Sequence, residues 1–321
     1  MSVFASLGIV AASFGQPTFV DIHGKLSVKG NKIVDQHGIP TTLHGMSLYC
    51  WAEGGTKFYN ASAINHLVRD WKCTVIRIAV QPGAYKINPV KELDKVKTVM
   101  DACIANGVYA IIDWHSMEGA QNDIPSARAF FSTVSKAYGK IPNIMYEPWN
   151  EPERESWPVI KAYHEAIIPT IRAIDPNSII ICGNRKYDEN CAEASENPIT
   201  CTSNVAYSIH FYSATHKQWL RDDGSIALKN GVALFATEYG TTSADGNGVC
   251  DLAETQKWWD WLDANNVGCA NWSVADMPET SAAFQPGTSP TGPWQDAMLK
   301  RSGLIVRNYI ISQYPHPAPS Q

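Results

Sequence analysis

The sequence predicts a single (β/α)8 TIM barrel with a short N-terminal β-hairpin, and three observations lead to this fold. The chain has 321 residues, which suits one barrel of about 250 residues with insertions. Short runs rich in β-branched and aromatic residues alternate with longer stretches of helical periodicity. The GxGxxG and GxxxxGK motifs of open nucleotide-binding sheets do not occur. We therefore expect a closed parallel barrel.

Each element is predicted from its own pattern. Residues 26–43 alternate apolar and polar positions around Gly30 and Gly38, which predicts the hairpin. The barrel strands are predicted at residues 43–47, 75–80, 109–114, 144–146, 179–182, 206–211, 234–238 and 269–272. The helices are predicted at residues 61–71, 90–106, 127–138, 158–174, 217–228, 252–265 and 294–314. The connection at 186–197 is irregular and is expected to carry a short helix at most.

The two ends of the chain differ from the barrel in composition. Residues 1–15 are small and apolar and are interpreted as a possible signal peptide, although no basic residue precedes the apolar run. Residues 16–314 are expected to form one catalytic domain, and 315–321 a Pro-rich tail. Eight cysteines favour an oxidising compartment, with Cys191 and Cys201 as the expected disulfide. We therefore expect a secreted, extracellular protein that is monomeric.

Composition also excludes several classes of function. The formal net charge of -5 gives no electrostatic reason to expect nucleic acid or an anionic membrane as partner. The sequence lacks a CxxC or His-rich spacing that would indicate zinc. It contains 11 Trp and 13 Tyr, and flat aromatic faces of this kind stack on sugar rings, although most such residues belong to protein cores.

Polar and aromatic residues gather at the C-terminal ends of the predicted strands, where barrel enzymes place their active sites. They are Arg77, Asp113, His115, Asn150, Glu151, His210, Tyr212, Glu238 and Trp272. Any one of them alone has an ordinary structural explanation, but their convergence on one end indicates an active site. Glu151 stands in the stretch NIMYEPWNEP, where Pro148 and Pro152 restrict the backbone beside it.

The two glutamates predict a reaction. Paired carboxylates that flank a glycosidic bond hydrolyse it, and a separation of about 5 Å gives retention through a covalent intermediate. We expect Arg77 and Tyr212 to keep Glu238 ionised, and a drier setting to raise the pKa of Glu151 so that it serves as acid and then base. Asn150 is expected to bind the 2-hydroxyl, and Trp272 to form the floor under the sugar.

These motifs resemble those of glycoside hydrolase family 5. IRIAV, DWHS, YEPWNEP, IHFY, FATEYG and NWS occur in the family's order, and the similarity covers residues 20–312. The stretches GMSLYCW, KFYNAS and FATEYGTT are similar to endo-β-1,4-glucanases of that family from bacteria and plant-feeding invertebrates. The resemblance implies a cellulase that acts on β-1,4-glucan without a cofactor or metal. It implies Glu238 as nucleophile and Glu151 as proton donor, supported by Arg77, His115, Asn150, His210 and Tyr212.

Two loops depart from the family pattern. Residues 275–279 read ADMPE where related cellulases often carry a Lys, and residues 48–51 read LYCW where many relatives have a His-Gly pair. Neither change affects the two carboxylates, but the first is expected to alter fine specificity. The residues predicted to stack on sugars in the outer subsites are Tyr49, Trp51, Trp149 and Trp219, with structural packing as the alternative for each.

Other functions stay open at this point. Within the family, β-mannanase, xyloglucanase and mixed-linkage glucanase activities are alternatives. A metal-dependent barrel hydrolase could use Asp113, His115 and His210, although it leaves Glu151 and Glu238 without a role. A Schiff-base aldolase needs a Lys within a barrel strand, and the predicted strands contain none. A non-catalytic sugar-binding barrel is expected to lack one of the two carboxylates.

Overall fold

The structure, a computed structural model, describes residues 16–314. The predicted signal peptide at 1–15 and the tail at 315–321 lie outside the described residues. The strands are β1 (Ser27–Lys29), β2 (Lys32–Val34), β3 (His44–Leu48), β4 (Val75–Val80), β5 (Tyr109–Trp114), β6 (Ile144–Glu147), β7 (Ile180–Cys182), β8 (Val205–Ser208), β9 (Phe211–Tyr212), β10 (Ala233–Gly240) and β11 (Gly268–Val274).

The predicted barrel is confirmed. Strands β3 to β8 pair in parallel in chain order, β10 follows β8, and β11 pairs with both β10 and β3 to close the sheet. The two-residue strand β9 continues the direction of β8 and also pairs with β10. The antiparallel pair β1–β2 forms the predicted hairpin. The N-terminal β-rich segment therefore lies outside a barrel of eight successive strand positions.

Twelve α-helices accompany the strands in the described part of the chain. They are α1 (Phe19–His23), α2 (Glu53–Thr56), α3 (Ala61–Arg69), α4 (Pro82–Ile87), α5 (Pro89–Asn106), α6 (Ile124–Tyr138), α7 (Trp157–Arg172), α8 (Arg185–Asp188), α9 (Cys191–Glu196), α10 (Gln218–Lys229), α11 (Leu252–Asn265) and α12 (Arg301–Gln313). The sequence did not predict the short helices α1, α2 and α4.

The last helix starts later than predicted. It begins at Arg301 rather than at 294, because the preceding apolar residues pack on the barrel wall in an irregular segment. The Trp294 ring lies 4.5 Å from that of Phe284, and Leu299 forms an isolated bridge with Phe284. Apolar spacing alone could not distinguish this packed, irregular approach from a first helical turn.

Inward-facing residues change character along the barrel axis. Because side chains alternate across a strand, Val75 and Arg77 of β4 share the inner face, as do Tyr109 and Asp113 of β5. The apolar members at the N-terminal end join one buried cluster, which α1 covers with Phe19 and Val20. The charged members, fully buried as well, occupy the C-terminal end. The barrel interior thus has an apolar layer at its N-terminal end and a polar layer at its C-terminal end, where the predicted active site lies.

The predicted Cys191–Cys201 disulfide is not formed. All eight cysteines lie within residues 16–314 and all are unpaired, so the structure does not support the disulfide expectation. Cys191 is buried at the start of α9, with its Sγ 3.3 Å from the Ser208 carbonyl oxygen, whereas Cys201 is exposed in a loop. Among the described helices, none has both the length and the apolar character to cross a bilayer.

Gly45 is a point at which the barrel tolerates no side chain. A Cβ at this position would lie 1.7 Å from the Val75 carbonyl oxygen of the neighbouring strand. We predict that Gly45→Ala lowers the free energy of unfolding by about 3 kcal/mol or more, because the backbone must shift to admit the methyl group. Urea denaturation measures this change.

Gly83→Ala is the matched control, since its Cβ would meet only the flexible Gln81 side chain, at 3.1 Å. It should change the free energy of unfolding by less than about 1 kcal/mol. Equal denaturation midpoints for the two variants would contradict the close approach of β3 and β4.

Candidate active site

Arg77 organises the polar end of the barrel. Its guanidinium is fully buried and faces three carboxylates, with 2.7 Å from Nε to Glu147 Oε2, 2.9 Å from Nη2 to Asp113 Oδ2 and 3.0 Å from Nη1 to Glu238 Oε2. Burial alone would lower the pKa of Arg77, but the three carboxylates raise it well above its usual value. The guanidinium therefore stays charged and fixes groups from β4, β5, β6 and β10 in one cluster.

Glu147 is a member of this cluster that the sequence reasoning missed. It ends β6, is fully buried, and accepts hydrogen bonds from Arg77 Nε and, at 2.6 Å, from the Thr237 hydroxyl. A signal for it was present in the sequence. Glu147 stands two residues after the inward-facing Met145, and a buried arginine needs acidic partners.

The Asn150–Glu151 pair is held by the backbone of the neighbouring loop. The backbone N–H of Asn150 donates to the Trp114 carbonyl oxygen at 3.2 Å, and the backbone N–H of Glu151 donates to the Ser116 carbonyl oxygen at 3.1 Å. Arg77 Nη2 donates to Asn150 Oδ1, so the Asn150 amide nitrogen is turned away from the arginine. Its Nδ2 lies 3.3 Å from Met117 Sδ, a weak acceptor.

Glu151 and Glu238 meet across the barrel mouth. An oxygen of each lies within 4.8 Å of the other and of a His210 ring nitrogen. Glu151 Oε1 lies 2.7 Å from His210 Nδ1, and the Tyr212 hydroxyl donates to Glu238 Oε1 at 2.7 Å. The expected proximity of Arg77 and Tyr212 to Glu238 is therefore present in the structure.

The two glutamates titrate differently. Burial raises the pKa of the Glu151 carboxyl to about 8, against the lowering effect of Arg77. Burial and the charge of Glu151 also raise the pKa of Glu238, but its two oxygens accept from Arg77 and Tyr212, which stabilises the ionised form. The arrangement favours a protonated Glu151 beside an ionised Glu238.

Aromatic rings form one wall of the mouth. Trp272 stacks on His115 with 5.0 Å between ring centroids and an interplanar angle of 2°. Tyr49 and Trp51 approach Trp272 at 5.3 and 5.8 Å, and Trp51 is 46% exposed. His115 Nδ1 lies 2.7 Å from Asp113 Oδ2, and burial lowers the pKa of His115 to about 3. The neutral imidazole of His115 thus packs behind the Trp272 ring, next to the accessible ring of Trp51.

Two cavities open beside the carboxylates. One of about 310 Å³ is lined by Trp51, Trp114 and His115, together with the loop 116–120. The other, of about 190 Å³, is lined by Met117, Glu151, Tyr187, Glu189, His210, Tyr212, His216 and Ala244. Glu151 lines the second cavity directly, so a group that receives its proton has space there.

The predicted stacking role of Trp149 is wrong. Its side chain is fully buried, its Nε1 donates to the Met117 carbonyl at 2.6 Å, and its ring packs on Tyr163 at 5.0 Å. The prediction rested on the closeness of Trp149 to Glu151 in sequence, but both residues follow the end of β6 at Glu147, where strand alternation no longer determines the direction of a side chain. Trp219 is 50% exposed on α10, and its ring lies 5.8 Å from that of His216, which lines the second cavity.

The predicted irregular connection contains a feature that the sequence did not reveal. Lys186, Tyr187 and Asp188 are consecutive residues in the left-handed region, with φ of 53°, 58° and 63°. This conformation costs about 1–2 kcal/mol per residue. Tyr187 lines the second cavity, and Asp188 is fully buried with Oδ2 3.4 Å from His210 Nε2. Strained residues of this kind concentrate at functional sites.

The metal-ligand set considered from the sequence is not brought together. Within residues 16–314, the ligand atoms of Asp113, His115 and His210 do not meet within 4.8 Å. Two other groups do, Glu147–Asp188–His210 and Glu151–His210–Glu238. The atoms of Glu147, Glu151, His210 and Glu238 in these groups already hold hydrogen bonds to one another or to Thr237, Arg77 and Tyr212.

Comparison with known proteins agrees with this geometry. The family model described as Cellulase (glycosyl hydrolase family 5) matches residues 34–277. Endoglucanase Z of Dickeya dadantii is 41% identical over 92% of this chain and 68% of its own length. An endoglucanase of Clostridium saccharobutylicum is 39% identical over 89% of this chain and 65% of its own length. The chain thus spans about two thirds of these curated relatives.

Solved structures share the fold. A structure from Cytophaga hutchinsonii superposes with a TM-score of 0.90 at 45% identity and covers 92% of this chain and 97% of that one. The similarity therefore extends through the barrel and the polar end described above.

Removing the Arg77 charge should destabilise the fold in a pH-dependent way. We predict that Arg77→Gln lowers the free energy of unfolding by about 3 kcal/mol or more at neutral pH, because three buried carboxylates lose their partner. Without Arg77 their folded pKa values rise further above the unfolded ones. The variant should therefore lose stability as pH rises from about 4 and recover part of it in acid.

Thermal unfolding of both proteins between about pH 5 and about pH 8 measures this effect. Arg128→Gln is the control, since Arg128 is exposed and donates to the Ala166 carbonyl at 3.0 and 3.1 Å. A stability loss in Arg77→Gln that does not change with pH would contradict the proposed charge balance.

Proposed function

The chain belongs to glycoside hydrolase family 5, and from that premise we propose that it is a retaining endo-β-1,4-glucanase that hydrolyses internal bonds of cellulose and related β-glucans. The observation that carries the proposal is the pair Glu151 and Glu238, whose oxygens approach within 4.8 Å. Retaining glycosidases place their carboxyl groups about 5 Å apart, whereas inverting enzymes leave room for a water between them.

The two cavities give the substrate a direction. Glu151 lines the cavity of about 190 Å³, so the leaving sugar, which accepts the acid's proton, occupies that side. The sugar that is transferred lies above Trp272, and the chain continues along Trp51 and Tyr49. Aromatic faces make apolar contact with the faces of pyranose rings. The hydroxyl groups at the edges of the sugar rings stay free to bind polar neighbours.

In the first step Glu238 attacks the anomeric carbon and Glu151 protonates the departing oxygen. Asn150 Oδ1 accepts from Arg77, so its amide nitrogen faces the cleft and donates to the 2-hydroxyl, a contact that strengthens toward the oxocarbenium-like transition state. The hydrogen bonds from Arg77 and Tyr212 hold the nucleophile ionised and oriented.

In the second step Glu151 acts as a base. Formation of the glycosyl-enzyme removes the charge of Glu238, which is one of the contributions that hold a proton on its neighbour. Glu151 then takes a proton from water, which attacks the anomeric carbon and releases Glu238. The same cavity admits the water after the leaving sugar has departed.

Secretion is proposed with this function, since an insoluble polymer must be degraded outside the cell. β-Mannanase and xyloglucanase activities are the alternatives within the family. The departure at Met277, beside Gly54, lies on the side of Tyr49 and Trp51, where specificity for the transferred sugars is decided.

An activity panel tests the proposal. We predict strong hydrolysis of carboxymethylcellulose and barley β-glucan, weak hydrolysis of galactomannan and xylan, and a loss of about a thousandfold or more in kcat for Glu238→Gln. The loss is expected because the amide cannot form the glycosyl-enzyme. Reducing-sugar release over the four polymers measures it.

Glu165→Gln is the control, because Glu165 is partly exposed on α7 and pairs with Lys161, at 4.0 Å. Preference for galactomannan would overturn the glucanase proposal, and an active Glu238→Gln variant would overturn the mechanism.

The pH profile tests the two protonation states. Activity requires Glu238 ionised and Glu151 protonated, so kcat/KM should fall as pH drops through the pKa of Glu238 and as pH rises through that of Glu151, about 8. Rates on barley β-glucan between about pH 4 and about pH 10 measure both limbs. The Glu151→Gln variant should lack the basic limb. If the basic limb persists in this variant, the titration belongs to another group.

A further inference from the structure

Asp188 and the left-handed turn around it join the two groups on which Glu151 depends. The amides of Lys186 and Tyr187 donate to the Glu153 and Pro152 carbonyls at 3.3 and 3.0 Å, which lie directly after Glu151. The amide of His210 donates to the Asp188 carbonyl at 3.3 Å. The turn therefore anchors the loop that carries Glu151 and the segment that carries its hydrogen-bond partner.

The Asp188 carboxyl has one oxygen fixed and one aimed at a histidine. Oδ1 accepts from the Asn184 amide. Oδ2 is buried without a hydrogen-bond partner and lies 3.4 Å from His210 Nε2. The roles proposed above for the site residues do not use this second oxygen.

Thr237 determines which nitrogen of His210 carries the proton. Its hydroxyl donates to Glu147 Oε1 at 2.6 Å, since Arg77 binds the other oxygen of Glu147 and stabilises the ionised carboxylate, which has no hydrogen to donate. The Thr237 oxygen lies 2.8 Å from His210 Nε2 and 2.6 Å from the Ser208 hydroxyl, and a hydroxyl has one hydrogen to give, so both of these neighbours must donate to it. Nε2 must therefore be the donor in that contact, and the Asp188 oxygen faces the same N–H group.

The other ring nitrogen is then an acceptor. Burial lowers the pKa of His210 to about 4, so the ring is neutral and Nδ1 has no hydrogen when Nε2 has one. Nδ1 lies 2.7 Å from Glu151 Oε1, and this contact forms only if Glu151 carries the proton. The tautomer of His210 thus selects the acid form of Glu151.

We propose that Asp188 is a positioning residue which, with Thr237, holds His210 in the Nε2–H tautomer and so keeps Glu151 protonated for the first step. This inference rests on the proposed function for its kinetic consequence, but not for the tautomer itself. The charged and titratable groups around Asp188 and His210 come from six neighbouring elements or their ends and are Arg77, His115, Glu147, Glu151, Glu189, Cys191 and Glu238.

Asp188→Asn is the most direct variant. The amide oxygen can keep the bond from Asn184, which places the NH2 group where Oδ2 now faces His210 Nε2. A donor at that point favours the His210 tautomer that has no hydrogen on Nε2 and one on Nδ1. The Nδ1–H group then donates to ionised Glu151, stabilises it and lowers the pKa of Glu151. The variant should lose general acid catalysis at neutral pH while it retains the nucleophile.

Two substrates separate this effect from a general loss of structure. We expect hydrolysis of barley β-glucan at pH 7 to fall about tenfold or more, with the 10²–10⁴ that general acid catalysis contributes as the upper limit. Hydrolysis of 2,4-dinitrophenyl β-cellobioside, whose leaving group needs no proton, should fall less than about threefold. The basic limb of kcat/KM should move to lower pH by about two units, because a tenfold smaller protonated fraction of Glu151 at pH 7 requires a shift of that size from about 8. Asp223→Asn, whose carboxylate accepts from the Ala192 amide at 3.0 Å away from His210, is the matched control.

Nitrogen-15 NMR of the imidazole provides a readout that needs no substrate. The His210 signals, assigned by comparison with His210→Gln, should show hydrogen on Nε2 in the native protein and on Nδ1 in Asp188→Asn. If that variant does not fold, Thr237→Val leaves Asp188 Oδ2 as the acceptor that faces Nε2, so His210 should keep its hydrogen on Nε2; a hydrogen on Nδ1 in this variant would overturn the role of Asp188.

The outcomes separate the two proposals. Equal losses on both substrates with an unchanged basic limb, or an unchanged tautomer in Asp188→Asn, would overturn the role of Asp188. A native protein that does not hydrolyse β-glucan would instead overturn the proposed function, and the NMR comparison would still decide the tautomer.

Discussion

The contact of one guanidinium with three carboxylates is the constraint on which the active end of the barrel depends. Arg77 binds Asp113, Glu147 and Glu238 from three other strands, and it also holds the amide of Asn150. Burying four charges is costly unless each is paired. The fold meets this cost by closing strands around the cluster, so that the geometry of the site and the closure of the barrel support each other.

This constraint also explains why the two candidate catalytic acids differ. Glu238 accepts a hydrogen bond from Arg77. Glu151 does not contact the guanidinium directly and lies instead beside the neutral ring of His210. The site thus contains an ionised carboxylate, Glu238, that is surrounded by hydrogen-bond donors, and a protonated carboxyl group, Glu151, that lies beside a hydrogen-bond acceptor. A second acidic layer, Glu147 with Asp188, sets the hydrogen-bond direction through Thr237 and His210.

The sequence was sufficient for the elements whose patterns are local. Val75–Val80 and Tyr109–Trp114 were predicted residue for residue, because β-branched runs between clear turns allow few alternatives. Glu151 and Glu238 were found because they stand at strand ends. Asp188 was missed because its placement depends on a left-handed turn that leaves no periodic signal. Trp149 was misjudged because its burial depends on Tyr163, which is distant in sequence.

The stereochemistry of the first product tests the central claim most directly. Proton NMR during early hydrolysis of a soluble cello-oligosaccharide shows which anomer is released before mutarotation. Oxygens of Glu151 and Glu238 within 4.8 Å of each other predict the β-anomer, because two displacements at the anomeric carbon restore its configuration. Initial release of the α-anomer would mean a single displacement by water and would contradict the role of Glu238 as nucleophile.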